Sequence, residues 1–224
     1  MRRGRHPGTK DRLIAAATEL FAERGFQGTT IRDIAERARV NVAAGNYHFG
    51  SKKALYLEVL RAQFAAIRAE LRRRGATRPE AELARLTRAE LADVLRARVR
   101  TMLDLLLGPP PGPHGALMQR EMCDPSEALP VIVDEFVRPM VREMVATVVH
   151  LAPRLDARTI ERCVFSIIGQ AIFYRFTMPA TLHMWGVPSY PRSLSRRLAE
   201  HIADFSLGGM DRVTSERRRS RHAS

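Results

Sequence analysis

Apolar and polar positions alternate with helical spacing along nearly the whole chain. From Thr9 to Arg24, Leu13, Ala17, Leu20 and Phe21 line one face, and Gly25 is placed to stop the helix. Ile31, Ile34, Ala35, Ala38 and Val40 recur at threes and fours, which predicts a short helix over Thr30–Ala38. Asn41 can cap another over Val42–Phe49, and Ser51 a long one to about Arg74, with Leu55, Val59, Ala62, Ala66 and Ile67 turned inward. Gly75 to Pro79 interrupts the pattern. A helix is expected from roughly Glu80 to Leu107, bent near Thr87. The run Gly108–Pro113 reads as a loop, because proline donates no backbone hydrogen bond and cannot continue a helix. A short helix follows over about His114–Cys123.

The cleanest repeat lies between Ser126 and Leu151, where Leu129, Ile132, Val133, Phe136, Val137, Met140, Val141, Met144, Val145 and Val148 predict one amphipathic helix kinked at Pro139. Asp156–Met178 is apolar on more than one face, as in a helix buried on two sides, the second of which a partner subunit can supply. A last helix is expected over about Arg192–Leu207. No strand or repeat pattern occurs, so the expected fold is all-α. The organisation reads as a basic disordered arm at 1–8, a head at 9–68, a helical domain at 69–208 and a basic disordered tail at 209–224.

Charge adds a partner class. The formal net charge of +13 favours a polyanion, although nearly all the basic residues are arginine, a bias that base composition of the genome can produce without any binding role. Apolar runs are broken by charge well before the ~20 residues that a membrane span needs, and Arg2, Arg3 and Arg5 are followed by no apolar stretch of a signal peptide. Cys123 and Cys163 stand far apart without paired spacing. These features are those of a cytoplasmic protein with reduced, buried thiols and no membrane partner. His114, His150, His183 and His201 show no metal-ligand spacing, and no nucleophile-and-base arrangement is present, so neither a cofactor nor an enzymatic activity is expected.

Candidate chemistry concentrates in Thr29–Lys53. Two short helices joined by a tight turn, with small and polar residues on the second and Tyr47, His48 and Lys52 at its end, suit a helix that enters a DNA groove. Residues 10–60 resemble the TetR family of transcriptional regulators, through Leu20-Phe21, Gly25-Phe26, Thr29-Thr30, Ile34-Ala35, Tyr47-His48-Phe49 and Ser51-Lys52 at fixed offsets. The resemblance implies that Thr30 meets phosphate at the start of the supporting helix and that Arg32 projects toward the groove edge. It implies that Asn41 caps the recognition helix, that Val42, Ala43 and Ala44 meet base edges, and that Asn46 can pair with adenine. Tyr47, His48 and Lys52 are then phosphate contacts. Three positions depart from the family pattern. Arg39 replaces a turn glycine, where φ > 0 costs roughly 1 kcal/mol or more, so a reshaped turn is expected. Gly45 replaces a packed Leu or Ile, which predicts a gap under the recognition helix. Asn46 replaces a common Tyr.

Gln119–Met140 and Ile167–Phe176 resemble the branch of that family with a CecR-type C-terminal domain. This implies a homodimer pairing through its last two helices, with Phe165, Ile168, Ile172, Leu198, Ile202 and Phe205 as interface candidates. It also implies a pocket for an unknown small-molecule effector, with Met118, Glu121, Met122, Phe136, Met140, Phe173 and Met178 as lining candidates. Plain core packing is the competing reading of those residues. The Arg120–Glu121 pair must be exposed, paired or functional. The expected function is a repressor that binds a palindromic double-stranded DNA operator and is released by its effector. Two alternatives stand beside it: a helical small-molecule-binding protein with a degenerate head, and a DNA-binding protein without an effector.

Overall fold

The computed structural model describes residues 8–107, 113–191 and 193–222. The elements are α1 (Thr9–Arg24), α2 (Ile31–Ala38), α3 (Val42–Phe49), α4 (Lys52–Arg73), α5 (Glu80–Leu83), α6 (Arg88–Leu107), α7 (Pro113–Cys123), α8 (Leu129–Ile132), a π-helical turn (Val133–Val137), α9 (Arg138–Leu151), α10 (Ala157–Phe176), α11 (Met178–Trp185) and α12 (Leu194–His222). No strand occurs among the described residues, and the fold is all-α. None of their helices is long and apolar enough to cross a membrane.

The chain divides into two compact units. The first holds α1–α3, α4 as far as Ala66, α7, α8 and the π turn to Phe136. The second runs from Ile67 to the end of α6 and resumes at Val137. The core of the first unit is Leu13, Ala17, Leu20 and Phe21 of α1, Ile34 and Ala35 of α2, and Leu55, Tyr56 and Val59 of α4, all 1% exposed or less. The Phe21, Phe26 and Tyr56 rings pack against one another with centroids 4.7–6.2 Å apart. In the second unit, Leu95, Val99 and Leu103 of α6 meet Val148 and Leu151 of α9, Val164 and Ile167 of α10, and Ile202 and Ala203 of α12. Full burial of each large aliphatic side chain contributes about 1.5–3 kcal/mol. Exposed ion pairs at the rim, such as Arg96–Asp204 at 2.8 Å, contribute little by comparison.

Several elements differ from the sequence expectation. Glu80–Leu107 is two helices, because Thr87 and Glu90 form a capping box that starts α6 afresh: Thr87 N–H donates to Glu90 Oε2 at 2.7 Å, and Glu90 N–H to Thr87 Oγ1 at 3.3 Å. The single helix expected over Ser126–Leu151 starts at Leu129 and carries a π-helical turn between its α8 and α9 segments. Pro139 sits in the first turn of α9, where its missing N–H costs nothing, and the irregular turn precedes it. Helix α11 has no counterpart in the pattern reading, because Met184 and Trp185 are exposed and Thr181 is the buried position, so no apolar stripe marks it. The expected tail at 209–224 is instead helix as far as His222. Across Gly208 and Gly209, Leu207, Met210 and Val213 continue an inward stripe onto the core at i, i+3 spacing.

The 9–68 and 69–208 division also changes. Segment 113–136 packs with the head. Lys53 Nζ pairs with Glu127 at 3.0 Å, Arg61 grips both carboxylate oxygens of Glu135 at 2.8 and 2.9 Å, and the Phe64 and Phe136 rings stack at 3.8 Å. The arm expected at 1–8 and the Gly108–Pro113 loop fall mostly outside the described residues.

Candidate nucleic-acid interface

The head is assembled by its turn residues. Gly25 ends α1 at φ 74°, and its N–H donates to Phe21 O at 2.9 Å. A Cβ on Gly28 would lie 2.5 Å from Arg24 O, so only glycine lets the chain pass the end of α1. Thr29 is fully buried, and its hydroxyl donates to Gly25 O at 2.9 Å. Thr30 caps α2: its Oγ1 accepts from Asp33 N–H at 3.1 Å, while Asp33 Oδ2 accepts from Thr30 N–H at 2.9 Å. The Thr30 hydroxyl, which donates to Asp33 Oδ2 at 2.7 Å, and then the Thr30 backbone N–H hold the Asp33 carboxyl below the usual carboxylate range.

The α2–α3 turn keeps its left-handed geometry with arginine in place of glycine. Arg39 has φ 55° and ψ 48°, the sole positive φ at a non-glycine among the described residues. Arg39 N–H donates to Glu36 O at 3.1 Å and Val40 N–H to Ala35 O at 3.0 Å, which close the end of α2. The turn is therefore not reshaped. The Arg39 side chain is exposed, two residues before the Asn41 cap of α3.

Asn41 caps α3, its Oδ1 accepting from Ala43 N–H at 2.9 Å. Along α3, Val42, Ala43, Asn46, Tyr47 and His48 are exposed, Ala44 is half-buried and Gly45 is buried. Tyr47 is 86% exposed, with its ring edge-on to His48. The gap expected at Gly45 is absent: a Cβ there would lie 3.0 Å from Ile31 Cγ2, so Ile31 already fills that space. Arg32 points outward and pairs with Glu36 at 3.0 Å. Lys52 differs from the rest of the set. It is half-buried, its Nζ donates to Phe26 O at 3.0 Å, and the ammonium lies 4.3 Å from the Phe26 ring centroid. One of its three donors is thus committed to holding α4 against the loop after α1.

Glu121 and Arg120, which the sequence left open, are structural members of the head. Glu121 is 2% exposed and accepts from Tyr56 O–H at 2.7 Å and Ser126 N–H at 3.2 Å. Burial, and then the hydrogen bond to Glu121, push the Tyr56 hydroxyl far above the ordinary tyrosine value. Arg120 Nε and Nη2 donate to Ala22 O and Glu23 O at 3.1 and 2.5 Å, which satisfies carbonyls at the end of α1. Cys123 is exposed and Cys163 half-buried, so the expectation of two buried thiols fails for Cys123. Burial raises the Cys163 thiol.

The seven pocket candidates are divided between the two units. Glu121, Met122 and Phe136 belong to the first unit, with Met122 43% exposed, whereas Met140 and Met178 are half-buried and Phe173 is exposed in the second. The Met118 side chain lies outside the described residues. Among the interface candidates, Phe165 and Phe205 are 54% and 66% exposed and Ile172 is half-buried. Ile168, Leu198 and Ile202 are buried within the second unit's own core, because they face α6 and the other bundle helices.

A helix-turn-helix head on an all-α chain with a helical C-terminal bundle defines a narrow class of proteins. The family model described as "Bacterial regulatory proteins, tetR family" matches residues 13–59. That described as "HTH-type transcriptional dual regulator CecR, C-terminal domain" matches residues 91–210, more than half of the chain. The chain belongs to the TetR family of bacterial regulatory proteins, with a C-terminal domain of the CecR type. It is 42% identical over 55 residues to the biofilm operon icaADBC HTH-type negative transcriptional regulator IcaR of Staphylococcus aureus (strain Newman), a match covering 25% of this chain and 30% of that protein. It is 49% identical over 47 residues to the probable HTH-type transcriptional regulator YttP of Bacillus subtilis, covering 21% and 23%. The chain thus matches less than a third of the length of these curated relatives. Among solved structures, a TetR transcriptional regulator from Agrobacterium tumefaciens superposes with a TM-score of 0.64 at 19% identity, over 89% of this chain and 92% of that one. AibR in complex with isovaleryl coenzyme A and operator DNA superposes at 0.60 with 15% identity, over 90% and 97%. At these identities the likeness is one of fold.

Proposed function

We propose that this chain is a homodimeric, cytoplasmic repressor that binds a two-fold symmetric DNA operator through α3 and is released by a small-molecule effector. The observation that carries this reading is the outer face of α3, where Val42, Ala43, Asn46 and Tyr47 stand exposed while Gly45 seats the helix on Ile31. Small apolar side chains at the leading end suit contact with thymine methyls, and Asn46 suits bidentate pairing with adenine. Thr30, Arg32, Tyr47 and His48 suit phosphate, and exposed Arg39 joins them at the turn. For Arg32, contact requires exchanging Glu36 for phosphate.

Exposed Phe165 and Phe205 support pairing of two copies through α10 and α12. Operator DNA and a ligand in the AibR complex support the same reading by analogy of fold alone. An effector regulates only by binding the released state better than the DNA-bound state, by about 1–3 kcal/mol. Selection of bound DNA from a random pool tests the proposal. The expected product is an inverted repeat, and Asn46→Ala is expected to relax one position in each half-site. A pool without symmetry or preference would overturn sequence-specific binding by a dimer.

A further inference from the structure

Arg98 lies on α6 between the core residues Leu95 and Val99, and it is 5% exposed. Its ion-pair partner is Glu143 of α9, whose Oε2 is 3.5 Å from Nη1, at the limit of a hydrogen bond. Glu143 Oε2 also accepts from Thr77 Oγ1 at 3.3 Å, so Arg98 does not hold it alone. The remaining nitrogens, Nε and Nη2, are buried and have no hydrogen-bond partner. Buried donors are almost always paired, and a buried guanidinium with an empty edge is a costly arrangement.

Which two nitrogens are free matters. Nε and Nη2 share the edge of the guanidinium on which two N–H bonds run parallel, the edge that grips a carboxylate with two hydrogen bonds. The same chain fills that edge elsewhere. Arg61 Nε and Nη2 hold the two oxygens of Glu135, and Arg73 Nε and Nη2 hold those of Glu70. Arg98 alone of these three is buried, and its edge has no hydrogen-bond partner. Burial pulls the Arg98 basicity down and Glu143 partly restores it, as for a cation short of counter-charge.

We infer that the Nε–Nη2 edge of Arg98 is the anchor for the carboxylate of a small organic acid with an apolar body, and that such acids are the effector class of this regulator. This rests on the ligand-responsive reading proposed above. An apolar body follows from the buried aliphatic cluster to which α6 and α9, the helices of Arg98 and Glu143, contribute Leu95, Val99, Met144 and Val148. A monoanion is preferred to a phosphate dianion because Glu143 already contributes a negative charge nearby. The site is closed around Arg98, so occupancy requires the bundle to open, and a ligand that binds only the opened form shifts the population toward it.

Thermal melting of the full chain with hexanoate, octanoate and benzoate tests the inference, with the matched alcohols and inorganic phosphate as further arms. At about a hundredfold excess over Kd, at least one carboxylate is expected to raise Tm by about 5 °C, and its alcohol is not. Arg98→Met removes a buried charge and is expected to fold but to lose the carboxylate response. Arg98→Lys keeps the charge without the fork, and is expected to bind at least tenfold more weakly; it decides the matter should the Met variant not fold. Wild type silent to all three acids, or an Arg98→Met shift equal to wild type, would overturn the inference. A response to phosphate alone would also overturn it, by assigning the edge to another anion. Binding of both proteins to pool-selected DNA separates the two claims. Intact DNA binding with no Arg98-dependent response sinks this inference only, and an Arg98-dependent response without DNA binding by wild type sinks the repressor reading only.

Discussion

The Cβ that Gly45 lacks would lie 3.0 Å from Ile31 Cγ2, so the small residue on α3 and the branched one on α2 are complementary halves of one contact. Glycine inside a helix costs about 1 kcal/mol relative to alanine, and here that cost accompanies a well-filled interface. Gly45→Ile is therefore expected to destabilise the head by about 1–3 kcal/mol through overpacking. Gly45→Ile combined with Ile31→Ala is expected to recover most of it. Urea unfolding of the two single variants and the double variant checks this, and additive losses would show that the two positions are independent.

This pair also shows what the sequence alone could convey. Helices α1, α2 and α3 were legible to within a residue because their caps, Thr30 and Asn41, and their stop, Gly25, are local signals with local consequences. Gly45 was misread as a gap because the filling side chain comes from α2, and the periodicity of α3 holds no information about it. The reshaped turn expected at Arg39 does not occur, because the turn between α2 and α3 holds the residue at φ 55° whatever its side chain. That segment 113–136 packs with the head in space was illegible for the same reason as Gly45. Tyr56, Arg61 and Phe64 claim it through partners 65–74 residues away in the chain, or across a ring stack. Arg98 left no mark in the pattern, since only the packed bundle reveals which guanidinium nitrogens are unpaired.

Lys52 has a packing role as well as the phosphate role that the family resemblance suggests. Lys52→Ala is expected to lower stability by about 1–2 kcal/mol through loss of the Phe26 carbonyl bond and the ring contact. It is also expected to reduce the salt slope of DNA binding by about one. Lys52→Met restores apolar packing on the ring but not the charge, so it should regain part of the stability and none of the slope. A slope unchanged in both variants would remove Lys52 from the DNA contacts.

Tyr56 gives the head an alkaline limit. Its folded-state proton is held above the unfolded value of 10.0, chiefly by burial and then by Glu121. Below pH 10 both states keep the proton and the full contribution is present. Above it the unfolded chain releases the proton while the folded chain retains it, so stability falls with rising pH by about 1.4 kcal/mol per unit. Tyr56→Phe should lose about 1–3 kcal/mol at neutral pH and should lack this component of the alkaline decline. Chemical denaturation between pH 8 and pH 11 compares them, and parallel pH profiles would contradict the assignment.

Exposed and buried members of the expected dimer face should respond differently. Phe165→Glu and Phe205→Glu are expected to yield folded monomers, because both rings already face outward in the single chain. Ile202→Glu is expected to unfold the bundle, since Ile202 is 1% exposed and an unpaired buried carboxylate costs several kcal/mol. Sedimentation with circular dichroism distinguishes a folded monomer from an unfolded chain. Dimers that persist in both phenylalanine variants would move the interface elsewhere.

The head is proposed to bind DNA through a face that contributes nothing to its own folding, and Tyr47 is the clearest member of that face at 86% exposed. The direct measurement is fluorescence anisotropy of pool-selected DNA with wild type and Tyr47→Ala, alongside their melting temperatures. The expected result is an unchanged Tm and a Kd raised about tenfold, as for loss of a DNA contact of about 1.4 kcal/mol. Equal affinity for DNA at equal Tm would contradict the placement of the DNA interface on α3.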